Sequence, residues 1–183
     1  SRRARLPPGR DARDPRDAPT LLPVRIVEGG LDDPAVVAFL EAHLAQMRAT
    51  SPPESVHALD LDGLRGPGMR FWTGHDEPDD GEVLATAALR HLDRAHAELK
   101  SMRTAPHRLR EGIARRMLEH VLTAARDAGY ERLSLETGSQ PFFAPARALY
   151  RAHGFVQVGQ RCGYYRGRDG RAHDAQTYAV QLG

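Results

Sequence analysis

The chain predicts a mixed α/β domain, and three observations carry that reading. Short apolar runs bounded by glycine, proline and aspartate recur along its length, a few stretches between them carry apolar residues at helical spacing, and 40% of the 183 residues are hydrophobic. Strands interleaved with few helices form one sheet covered by helices. A chain of this length buries roughly 70% of its unfolded surface in a single domain.

Residues 1–20 hold six arginines, three aspartates and four prolines, with Leu6 as the large apolar group. Such a segment cannot bury enough surface to offset its ordering entropy, so a disordered arm is expected over 1–20 and the domain over 21–183. Val24 to Glu28 reads as a first strand, ended by Gly29-Gly30. Asp33 can cap a helix that has Pro34 in its first turn, and Val36, Val37, Leu40, Leu44 and Met47 follow at helical spacing. Ser51-Pro52-Pro53-Glu54 breaks that helix and starts a shorter one through Leu61 and Leu64. Met69 to Thr73 reads as a strand, Gly74 to Gly81 as a polar turn, and Glu82 to Leu92 and Ala97 to Thr104 as two further strands.

The clearest helix follows. Ile113, Met117, Val121 and Ala125, flanked by Ala114, Leu118, Leu122 and Ala128, make one wide apolar face, and Gly129 stands where a helix C-cap is expected. Leu133 to Glu136 is a strand and Ala146 to His153 a short helix stopped by Gly154; Phe155 to Val158 and Thr177 to Val180 are late strands.

The net charge of +2 resides in the arm. Beyond residue 20, 20 cations face 21 anions and no basic stripe alternates with aromatics, which argues against nucleic acid. No apolar run approaches the ~20 residues of a membrane span, and residues 1–20 lack a signal-peptide pattern. Cys162, the only cysteine, cannot form an internal disulfide, so a reducing cytoplasm is expected. The histidines lack metal-ligand spacing such as H-E-x-x-H, and no structural metal is expected. Lys100 is the only lysine among 26 cations.

The stretch from Glu98 to Phe155 carries the chemistry. A strand leads through Arg108-Leu109-Arg110-Glu111-Gly112-Ile113-Ala114 into the long amphipathic helix. Unpaired N–H groups and the helix dipole favour a phosphate or pyrophosphate at such an N-terminus, with Arg108, Arg110, Arg115 and Arg116 nearby. The loop lacks the GK[ST] of a P-loop and the G-x-G-x-x-G of a dinucleotide site.

Leu109 to Ala114 sits where the GNAT superfamily of N-acetyltransferases carries its Q/R-x-x-G-x-G/A hallmark. Downstream, Ala146-Arg147-Ala148-Leu149-Tyr150-Arg151-Ala152-His153-Gly154-Phe155 is similar to that family's A-x-x-L-Y-x-x-x-G-F signature. The chain resembles this superfamily from about Val24 to its end. Ser51 to Leu59 and Leu135-Glu136-Thr137-Gly138-Ser139 resemble its YsnE-like branch of small bacterial members. Three positions depart from the pattern: Leu109 replaces the hallmark's Gln/Arg, Glu111 stands where a basic residue is frequent, and Phe143 replaces an asparagine common three residues before Ala146.

The resemblance implies a mixed, mostly antiparallel central sheet with splayed strands and flanking helices. It implies an enzyme that moves an acetyl group from acetyl-CoA to a primary amine by direct attack in a ternary complex. The departures motivate the alternative of a CoA-binding or interaction module without transfer. In the family, Met102, Arg103 and Thr104 would pair with the pantetheine arm and polarise the acetyl carbonyl. Leu109, Arg110, Glu111, Gly112, Ile113, Ala114, Arg115, Phe143 and Ala146 would meet the rest of the cofactor. Tyr150 would be the acid that protonates the leaving thiolate. Glu98 would be the general base, with burial beside Ala97 and Leu99 raising its pKa, and Glu136 the rival. Glu54, His57, Arg65 and Trp72 would shape the acceptor cleft together with Glu136. The acceptor would be a small-molecule or peptide amine, and homodimerisation stays open.

Overall fold

The computed structural model describes residues 23–50, 61–77, 81–166 and 170–183. Seven strands form one sheet in the order β1-β2-β3-β4-β5-β7-β6. They are β1 (Val24–Glu28), β2 (Met69–Asp76), β3 (Val83–His91), β4 (His96–Thr104), β5 (Arg132–Gly138), β6 (Val156–Arg166) and β7 (Ala172–Gln181). Every pairing is antiparallel except β4 with β5. The helices are α1 (Pro34–Thr50), α2 (Leu61–Leu64), α3 (Ile113–Asp127) and α4 (Ala144–Ala152).

Local signals in the sequence fixed most of these elements. Asp33 Oδ1 accepts the Ala35 N–H at 2.8 Å, which caps α1 as expected. At the end of α3, the Gly129 N–H reaches the Arg126 carbonyl at 2.9 Å and the Tyr130 N–H reaches that of Ala125 at 3.1 Å, the paired bonds of a Schellman stop. The sheet's two faces are covered separately. Ile113, Met117, Leu118, Val121 and Tyr150 pack with Trp72, Ala97, Leu99, Leu133 and Leu135, so α3 and α4 share one side. Val36 and Leu40 of α1 and Leu64 of α2 pack with Phe71, Val83 and Ala88 on the other.

Several strands run further than the sequence predicts: β5 reaches Gly138 and β7 begins at Ala172, before the expected Thr177. Gly74, His75 and Asp76 belong to β2 and not to a polar turn, because His75 is buried and hydrogen-bonded to Thr73 Oγ1 at 2.9 Å. β6 continues past Val158 to Arg166 despite its glycines and polar residues, held by β7. The arm over 1–20 and residues 51–60, with the expected cleft residues Glu54 and His57, lie outside the described residues.

Candidate active site

The site is made where β4 and β5 part. Their parallel register runs from His96↔Arg132 to Leu99↔Leu135 and ends there. Beyond it β5 stays with β7, through Gly138↔Ala175, while β4 stays with β3, through Ala85↔Thr104. A bulge opposite Ala87 turns β4 away: its register jumps between Thr86↔Arg103 and Ala88↔Lys100, and Ser101 takes φ +49°. Residues 100–104 therefore offer backbone edge that β5 does not use. Of the expected strand contacts, Met102 leans on the α3 core, and Arg103 lies on the α1 side.

At the same end of the sheet, β4 leads through a 3-10 turn, Pro106–Arg108, into the loop before α3. Arg110 (φ +69°) and Gly112 (φ +78°) are both left-handed. Gly112 is the N-cap and makes no side-chain cap, and the first α3 bond is Arg116 N–H to the Gly112 carbonyl at 3.1 Å. The N–H groups of Ile113, Ala114 and Arg115 thus have no intrahelical partner, an arrangement suited to an anion. Two of the loop's charges, Arg108 and Glu111, are already committed. Arg108 donates to Glu111 Oε2 at 2.7 Å and to Asp76 Oδ2 at 3.0 Å, with Glu82 Oε2 at 3.4 Å. Its hydrogen bonds to the Glu111 and Asp76 carboxylates hold the Arg108 guanidinium above its usual range. Arg115 pairs with Glu119 at 2.8 Å along the helix surface, and Leu109 is 60% exposed.

Across the splay, Tyr150 on α4 is 8% exposed, its ring 5.8 Å from that of Phe155. Burial pushes its hydroxyl up, and the charge of Arg103 pulls partly the other way. Such a hydroxyl keeps its proton at neutral pH and can donate it. Phe143 packs on Gly138: a Cβ there would lie 2.7 Å from the Phe143 ring, so only glycine admits this contact. Arg147 ties the loop, donating to the carbonyls of Gly138 (2.6 Å) and Gln140 (3.0 Å). Ala146 packs against the α3 core from α4. The buried Gln140 Oε1 has no partner among the described residues.

The two carboxylates expected as bases lie on the α1 side of the sheet. Ala97 and Leu99 point into the α3 core, so strand alternation turns Glu98 away from them, correcting the expectation of burial beside those residues. Its Oε1 instead receives the Lys100 ammonium at 3.3 Å. Glu136 is paired with Arg161 of β6. Two other expected cleft residues sit elsewhere. Trp72 is 1% exposed in the α3 core, edge-on to His120 (5.7 Å between rings) and under the Arg70 guanidinium (4.8 Å). Arg65 binds the Leu31 carbonyl at 2.8 Å and Asp32 at 2.9 Å, tying α2 to the β1–α1 loop at the sheet end away from the splay. Both have structural partners outside the splay.

His43 is the residue that sequence reasoning passed over. Its Nε2 accepts from Arg103 Nε, and burial together with the Arg103 charge pushes it down to about 3. The signal was present: Val36, Leu40, His43 and Met47 share one α1 stripe, and Met47 Sδ also contacts Arg103, at 3.5 Å. Among the described residues no group of His, Cys, Asp and Glu is arranged to hold a metal, and no helix is long and apolar enough to cross a membrane.

Known proteins share this architecture. The model of the Acetyltransferase (GNAT) family matches residues 36–155. The chain is 48% identical over 120 residues to the uncharacterized N-acetyltransferase YsnE of Bacillus subtilis, covering 66% of this chain and 78% of YsnE. It is 49% identical over 127 residues to the uncharacterized N-acetyltransferase YedL of Escherichia coli, covering 69% and 77%. A GNAT family acetyltransferase from Elizabethkingia anophelis, solved with acetyl-CoA bound, superposes with a TM-score of 0.64 over 86% of this chain and 97% of that one, at 16% identity.

Proposed function

The chain belongs to the GNAT acetyltransferase family, and from that premise we propose that it moves an acetyl group from acetyl-CoA to a primary amine by direct attack in a ternary complex. The observation that carries this reading is the parting of β4 from β5 after Leu99 and Leu135, in front of the uncapped N-terminus of α3.

The residues present fit an acyl-CoA. The N–H groups of Ile113, Ala114 and Arg115 suit a pyrophosphate, the edge of β4 beyond Leu99 suits an extended amide-bearing arm, and the orphaned Gln140 Oε1 awaits a donor. Bound there, acetyl-CoA supplies a thioester carbonyl activated toward an amine. Backbone N–H groups at Met102 to Thr104 orient the donor and polarise its carbonyl oxygen. Glu98 accepts the proton that the acceptor ammonium must lose, since an aliphatic amine with pKa near 10.4 is otherwise protonated at pH 7. Tyr150 holds its proton and gives it to the departing sulfur. The α3 and α4 core keeps that hydroxyl away from bulk water.

The alternative of a CoA-binding or interaction module without transfer rests on Leu109, Glu111 and Phe143. Glu111 pairs with Arg108, and Phe143 has a packing role on Gly138, so neither opposes the cofactor. The acceptor is proposed to be a small-molecule or peptide amine. A screen of amine acceptors reading acetyl-CoA-dependent release of free CoA tests the reading; saturable CoA binding without release to any amine would return the chain to the module class.

A further inference from the structure

We propose that Lys100 is itself an acetyl acceptor, modified within the molecule that binds the thioester. This rests on the acetyl-transfer reading above and adds a substrate to it. Lys100 is the only lysine among 26 cations; the others are arginines, whose guanidinium stays protonated and does not act as an amine nucleophile. That single lysine occupies a specific place. The last paired position of β4 with β5 is Leu99↔Leu135, so Lys100 is the first residue beyond it, at the apex of the splay. Ser101, with φ +49°, follows at once, where β4 bends away. The residue across from Lys100 on β3 is Ala88, on the face of the sheet that α1 covers. The side chain is 25% exposed, and its ammonium lies 3.3 Å from Glu98 Oε1. An amine and the carboxylate that can take its proton are therefore already in contact where the thioester would arrive.

The step balances with the donor already invoked. Glu98 takes a proton from Lys100 Nζ and passes it to solvent. The Nζ lone pair attacks the thioester carbonyl carbon, forming the C–N bond as the C–S bond breaks. The electron pair leaves on sulfur, which receives the Tyr150 proton; the second Nζ proton leaves through Glu98 to solvent as the amide forms, and Tyr150 is reprotonated from solvent. The products are a neutral Lys100 amide, free CoA and one proton. Modification removes the cation from Glu98 and leaves that carboxylate to the ammonium of an external acceptor.

The experiment incubates the full chain with acetyl-CoA and no other amine, then follows the peptide Ala95 to Arg103 by mass spectrometry. One acetyl group is expected on Lys100, gained at a rate that saturates with acetyl-CoA and, per molecule, does not depend on protein concentration. In parallel, CoA should protect Lys100 from an amine-reactive N-hydroxysuccinimide ester, a readout that needs no turnover. An unmodified Lys100 in protein that releases CoA with an external amine overturns the proposal and leaves the acetyl-transfer reading standing. Acetylation that rises linearly with acetyl-CoA, without CoA protection, is chemical modification and overturns it as well. An unmodified Lys100 in protein that also fails to transfer to any amine overturns both.

Discussion

Arg108 Nε donates to Glu111 Oε2 at 2.7 Å, and this bond ties the one acid of the loop back toward Asp76 and Glu82, between β2 and β3. An unpaired carboxylate beside the α3 N-terminus would repel a pyrophosphate; here the guanidinium neutralises it. Arg108→Gln should raise the KM for acetyl-CoA several-fold while kcat changes little. The Arg108→Gln, Glu111→Gln double variant should recover most of that loss, which steady-state kinetics on the four proteins will show.

Gly112 fixes the same N-terminus through its backbone. With φ at +78°, Gly112→Ala should cost roughly 1 kcal/mol of stability and keep measurable CoA binding. Gly112→Asp adds a negative charge as well and should remove binding. In the wild type, acetyl-CoA at 100 times its Kd should add about 2.7 kcal/mol of stability. Thermal shift and calorimetry together read all three; a wild type that shows neither a shift nor heat would remove the cofactor site from the loop.

Tyr150→Phe keeps the ring against Phe155 and deletes only the proton donor. Turnover should fall by roughly 10²-fold with acetyl-CoA affinity nearly unchanged. Equal turnover in the two proteins would make Tyr150 a packing residue and water the proton source.

The general base is decided by pH profiles. Glu98→Gln should lower turnover at pH 7 and recover in part at high pH, where the acceptor amine deprotonates unaided. Glu136, held by Arg161, is the control. If Glu136→Gln carries the pH-dependent loss and Glu98→Gln keeps the wild-type profile, the two roles are exchanged.

His43 links stability to acid. Its folded-state pKa is pushed from 6.5 down to about 3, so between those values the unfolded chain binds the extra proton. Its contribution is fully present above pH 6.5 and is lost as pH falls toward 3. His43→Gln keeps an acceptor for Arg103 without titrating. Its melting temperature should therefore drop less than that of the wild type between pH 7 and pH 4.

The sequence by itself determined the succession of elements, the wide apolar face of α3, the loop ending in Gly112, and Tyr150 on its short helix. These rest on local spacing, caps and turn residues, which act over a few positions and can be read along the chain. It also showed that Lys100 is the sole lysine, though not where that amine lies. Only the tertiary structure decided which groups meet: Glu111 with Arg108, and Glu98 with Lys100 on the face away from Ala97 and Leu99. It likewise set His43 against Arg103, 60 positions further along, and sent Trp72 into the core and Arg65 to the far end of the sheet. The physical reason is register. A bulge at Ser101 and the end of pairing at Leu99 set which way each β4 side chain points, and those depend on strands and helices distant in sequence.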